Sequence, residues 1–74
     1  MRKELKDAIE LARRIVNEDF DAKLAIFVVR DFEELEEVGL KDLVWSMYQD
    51  NCTLSEVEWF LNELEERLGR LEKI

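Results

Sequence analysis

From Val57 onward, apolar residues recur at Leu61, Leu64, Leu68 and Leu71, at spacings of 4, 3, 4 and 3. That alternation keeps one side of an α-helix apolar and sets it against another helix. A seam of this length does not hold a helix by itself. The segment, about Leu54 to Lys73, therefore has to lie against the first segment of the chain or against a second chain. Phe60 widens the seam, and Trp59 falls almost opposite it. Thr53-x-x-Glu56 is the pattern of a helix-opening capping box.

Two further segments carry the same period. Between Lys3 and Val16, at about 100° per residue, Leu5, Ala8, Ile9, Leu11, Ala12, Ile15 and Val16 share one arc. Charged residues fill the other arc, and Asn17-Glu18-Asp19 ends the pattern. Between Leu40 and Gln49, the residues Leu40, Leu43, Val44, Met47 and Tyr48 form one face, with Trp45 at its edge. Gly39 before this segment suits a helix stop, because glycine accepts the left-handed conformation that follows a last turn.

The stretch from Phe20 to Val38 is ambiguous. Leu24-Ala25-Ile26-Phe27-Val28-Val29 is an unbroken apolar run, compatible with a buried strand or a helix buried on several sides. Phe20, Leu24, Phe27, Val28, Leu35 and Val38 share one helical face and favour a continuous or kinked helix. Asp31-x-x-Glu34 resembles a second capping box and favours a break after the run. A lone strand needs a partner for its backbone groups, which here means a second chain. The expected fold is all-α: a small three- or four-helix bundle in a single domain over 1–74. The alternative places one short strand near 24–30, paired across a dimer.

A single core in a chain of this size supplies only about 3–5 kcal/mol of net stability. Cys52 is the sole cysteine and there is no histidine, so an intrachain disulfide and the usual structural zinc site are both excluded. Self-association is the staple that remains, and a homodimer is expected.

The same arithmetic bears on catalysis. No Ser/His/Asp set, glycine-rich phosphate loop or dinucleotide fingerprint is present. Cys52 has no histidine base, and neighbouring Asp50 and Glu56 disfavour its thiolate. Glu33, Glu34, Glu36 and Glu37, like Glu63 and Glu66, contain Glu-x-x-Glu spacings, which read as a solvated face rather than a metal site. The chain reads as a non-enzyme with no cofactor and no metal.

Charge is uneven along a chain of net −8. Residues 1–17 hold Arg2, Lys3, Lys6, Arg13 and Arg14 against Glu4, Asp7 and Glu10, whereas residues 18–38 hold eight acids against Lys23 and Arg30. The basic first segment is expected to attract the acidic remainder. Nucleic-acid phosphates are repelled along most of the chain.

No apolar run approaches a membrane span of about 20 residues, and no signal-peptide core follows the charged start. A cytoplasmic protein with no membrane partner is expected. Many charged residues with few amides is the surface style of thermophile proteins, which predicts a melting midpoint above the mesophile range.

These readings favour an acidic helical module for protein–protein interaction that self-associates. The candidate interface residues are Trp59, Trp45, Val57, Leu61, Leu64 and Leu68. Tryptophan is favoured at interfaces because it buries a large area and keeps a polar handle. Two alternatives use other partners. Residues 40–73 can be read as a helix-turn-helix nucleic-acid-binding regulator, although Glu56, Glu58 and Glu63 then face phosphates. An acidic mimic of nucleic acid would instead inhibit a basic protein partner.

Overall fold

The computed structural model of the protein describes residues 2–72; Lys73, the expected end of the last helix, lies outside them. Over those residues the chain is 80% helical and contains no strand. The apolar run therefore resolves as helix, and the strand-paired dimer is set aside.

The first helix, α1, spans Lys3–Arg14, with Glu4 in its first turn and Arg13 and Arg14 in its last. Both placements suit the backbone dipole. The coil then widens into a π-type turn over Ile15–Asp19. A π turn holds an extra residue, which lets the adjacent Ile15 and Val16 both enter the core. The winding stops at Phe20, whose φ of 52° lies in the left-handed region.

Helix α2, Ala22–Val29, starts at Asp21, whose Oδ1 accepts from the Leu24 N–H at 3.0 Å. Its inner face is Ala25, Ile26 and Val29. This inverts one sequence expectation: Phe20, Leu24 and Phe27 point outward. The phase resets after Val29, because α2 stops there and a one-turn helix α3, Glu34–Glu37, follows. Asp31 does not cap α3; Glu34 is instead drawn into an ion pair with Arg2.

Gly39, at φ 75°, ends α3. The Leu40 N–H donates to the Leu35 carbonyl at 2.8 Å and the Gly39 N–H to the Glu36 carbonyl at 3.1 Å. This paired pattern is a Schellman stop, and it aims the chain into α4, Lys41–Gln49. Arg67 braces the same corner, donating from Nη1 to the Val38 carbonyl at 2.8 Å.

Helix α5, Leu54–Glu72, is the longest. Its capping box forms as expected: the Glu56 N–H donates to Thr53 Oγ1 at 3.2 Å, and the Thr53 N–H donates to Glu56 Oε1 at 3.0 Å. Val57, Phe60, Leu61, Leu64 and Leu68 are buried along it. They meet Leu5, Ile9 and Ala12 of α1, the inner face of α2, Leu35, and Val44 and Met47 of α4 in one core. Arg13 ties α1 to α5 through Glu65 and Asn62. No helix among the described residues is long and apolar enough to cross a membrane.

Candidate interaction surfaces

The sequence-predicted interface residues divide into two groups. Val57, Leu61, Leu64 and Leu68 are sealed inside the chain's own core, each 2% exposed or less. The leucine seam is an internal one, because α1 and the other helices of the same chain cover it. Trp45 is half-buried. Trp59 stands 54% exposed. Among the described residues, Leu11 and Leu71 are exposed singly, and two larger apolar surfaces border α4.

The first surface is the outward stripe of α2. Phe20, Leu24 and Phe27 follow at spacings of 4 and 3 and so share one side of the winding. They are 71%, 42% and 46% exposed. The stripe runs into α4, where the Tyr48 ring lies 6.2 Å from that of Phe27. A shallow cleft of about 260 Å³ lies between Asp21, Lys23, Leu24, Phe27 and Tyr48.

Beneath this stripe, Arg30 enters a cage of three rings. Its guanidinium carbon is 4.4 Å from the Phe27 centroid, 4.3 Å from Tyr48 and 5.0 Å from Trp45. Each face attracts the cation through the ring quadrupole. Arg30 Nε is buried with no hydrogen-bond partner, and the nearest carboxylate, Asp31, is 3.6 Å away. Lys23 covers the same Tyr48 ring at 5.1 Å. The cage fixes Phe27, Trp45 and Tyr48 in place and keeps two cations beside the apolar stripe.

The second surface is a groove of about 250 Å³ between α4 and the start of α5, lined by Leu43, Met47, Ser55, Glu56 and Trp59. Met47 forms its buried floor and Trp59 its exposed wall.

A third cleft, about 370 Å³, lies between the charged Arg2, Glu33, Glu34, Glu37 and Glu72 and the apolar Leu68 and Leu71. The Arg2 guanidinium donates to both Glu34 oxygens, at 2.7 and 2.6 Å. Those hydrogen bonds hold the Glu34 carboxyl below its usual range, against the opposing effect of burial. A depressed carboxyl contributes stability above its unfolded pKa and loses it as the pH falls through the folded value. Glu34→Gln is therefore expected to cost about 1–2 kcal/mol at neutral pH, since the pair is partly exposed. The difference from wild type should shrink in acid, below the ordinary glutamate range. Urea midpoints at neutral and acid pH measure this, and a difference independent of pH would contradict it.

Among the described residues, no three metal-capable side chains converge. Burial pushes the half-buried Cys52 thiol up, and the nearby Glu56 charge pushes it further. The exposed start of α5, with Glu56 and Glu58 beside Trp59, presents negative charge where a recognition helix would meet phosphates.

No protein-family model, curated protein or solved structure matches this chain. The class it defines is set by its own fold: among the described residues, an all-α unit with two apolar surfaces that border one helix, α4.

Proposed function

We propose that the protein is a non-catalytic interaction module that self-associates through the outward stripe of α2. Phe20 carries this reading. A non-glycine residue in the left-handed region costs about 1–2 kcal/mol. Phe20 also leaves most of a large ring in water and gives little to the core. A residue unfavourable on both counts in the free chain has its use in something that covers it.

Charge favours a second copy as that cover. The chain carries −8, so two copies repel over most of their surfaces. Over α2 itself, Lys23 and Arg30 balance Asp21 and Asp31, and only Glu18 and Asp19 beside Phe20 leave a surplus, so the repulsion is weaker there than over most of the chain. An eight-residue helix is only about 12 Å long, so the contact is small and the dimer weak.

Sedimentation velocity across the micromolar range is expected to show a monomer–dimer equilibrium that added salt strengthens by screening the net charge. Phe20→Asn separates stability from association. Asparagine tolerates the left-handed conformation. The variant is expected to melt about 4–8 °C higher at low concentration, while remaining monomeric where the wild type dimerises. A wild-type monomer at every accessible concentration removes the proposal. So does an asparagine variant that still dimerises equally well.

A further inference from the structure

The reversal between α1 and α2 is built without the residues that usually make one. From residue 2 to residue 38 the chain has neither glycine nor proline. A helix that ends in a left-handed residue usually has glycine there. Here Phe20 takes that position, at φ 52°. The turn before it, Ile15–Asp19, is π-type, a winding that is rare and confined to single turns. The local device that favours the reversal is Asp21, whose carboxylate accepts from the Leu24 N–H. Otherwise the packing of α2 on α1 imposes it.

Residues 15–21 can also wind as ordinary α-helix, since no proline or glycine interrupts them. The hairpin of α1 and α2 then becomes one rod from Lys3 to Val29, about 40 Å long. Such a rod carries α1 out of its own core. Leu5, Ile9 and Ala12 lose the side chains they pack against, and Arg13 loses Glu65 and Asn62. The segment that fits the vacated space residue for residue is α1 of a second copy.

We infer that Phe20 is the hinge of a domain-swapped dimer, in which residues 15–21 straighten and the α1 of each copy packs into the core of the other. The exchange keeps the contacts of Leu5, Ile9, Ala12 and Arg13, now made between chains. It also removes the left-handed Phe20 from both copies. A short hinge under strain favours exchange in this way. Against it stand the lost freedom of two chains and the loss of the Asp21 cap. Glu18, Asp19 and Asp21 of both copies also gather where the rods cross. High protein concentration and high salt therefore favour the swapped form. The inference does not rest on the α2 stripe, because the swapped contact is the buried core rather than the outward face. The two dimers differ in rate: a swapped pair separates only as fast as α1 leaves the core, whereas a small surface contact exchanges rapidly.

The test unfolds the chain in urea and refolds it at high concentration in high salt. Size-exclusion chromatography after dilution is expected to recover a dimer that persists and reverts to monomer at the rate measured for unfolding. Two variants at the hinge separate this species from the stripe dimer. Phe20→Ala keeps the left-handed strain and deletes the exposed ring, so it should lose the rapid equilibrium and keep the slow dimer. Phe20→Gly accepts the left-handed conformation freely and disfavours the straight helix. Its yield of slow dimer is expected to be at least about tenfold below that of the alanine variant. A slow dimer with this ranking but no rapid equilibrium in the wild type would support the swap and remove the stripe reading. Equal yields from the alanine and glycine variants would overturn the inference, and so would a wild type that refolds only to monomer and rapidly exchanging dimer.

Discussion

Replacing Phe60 with alanine is expected to leave the chain largely unfolded at 25 °C. Phe60 is fully buried and heads the largest buried side chains, at the point where α5 meets the other helices. Truncating a buried phenylalanine removes about 3–5 kcal/mol through lost transfer energy and the cavity left behind. That is about the whole net stability of a chain this small. No disulfide holds the unfolded fraction down, since Cys52 is free. Far-UV circular dichroism with urea titration measures the effect. Leu71→Ala, at a side chain 43% exposed on the same helix, is the matched control and should shift the midpoint little. Two variants of equal stability would show that Phe60 is not central to the core.

The second large effect is at Arg30, where the replacement decides the result. Arg30→Ala deletes the cation from three rings and the aliphatic stem that supports them, and is expected to cost about 2–3 kcal/mol. Arg30→Met keeps most of the volume, loses the cation–π attraction and the 3.6 Å ion pair with Asp31, and also removes a buried donor that has no hydrogen-bond partner. An orphaned donor is itself costly, so these changes offset and the methionine variant should lie within about 1 kcal/mol of wild type. Urea midpoints of the two variants compare them directly. A methionine variant as unstable as the alanine one would assign the cage to charge rather than packing. The proposed dimer supplies an independent readout, because both substitutions remove positive charge from the stripe.

The sequence was most legible where apolar residues face one way. In α1 and α5, a charged arc against an apolar arc locates the buried face, although Leu11 and Leu71, which the pattern places on it, are exposed, and Thr53-x-x-Glu56 and Gly39 mark boundaries with local chemistry. The run Leu24–Val29 offered no such contrast, since α2 packs against α1, α4 and α5 and also exposes Leu24 and Phe27. Its inner and outer faces are both apolar, so periodicity could not say which was which.

The misread box at Asp31 has another cause. Glu34 is claimed by Arg2, 32 positions away, and no local pattern contains that partner. The leucine seam was correctly located as a seam. Periodicity reports that a face is apolar, not whether the same chain covers it, so four of its residues were assigned to an interface when they line the core. Trp59 stood out in the sequence because it lies opposite that seam. The Arg30 cage gave no sequence signal, because its rings come from two helices that meet only in the folded chain.

The arrangement of the core around α5 also sets when this unit can fold. Val57, Phe60, Leu61, Leu64 and Leu68 all belong to α5, which follows the other helices in chain order and emerges from the ribosome after them. A nascent chain that has emerged only as far as Asn51 can bring α1 and α2 together as a local hairpin. It has nothing to fill the space between them and α4. The four helices α1 to α4 therefore wait, with their apolar faces uncovered, until α5 is free to close over them. Completion of the core waits on α5, and the interval before it is when the exposed apolar faces are most open to capture by chaperones or by other copies of the chain.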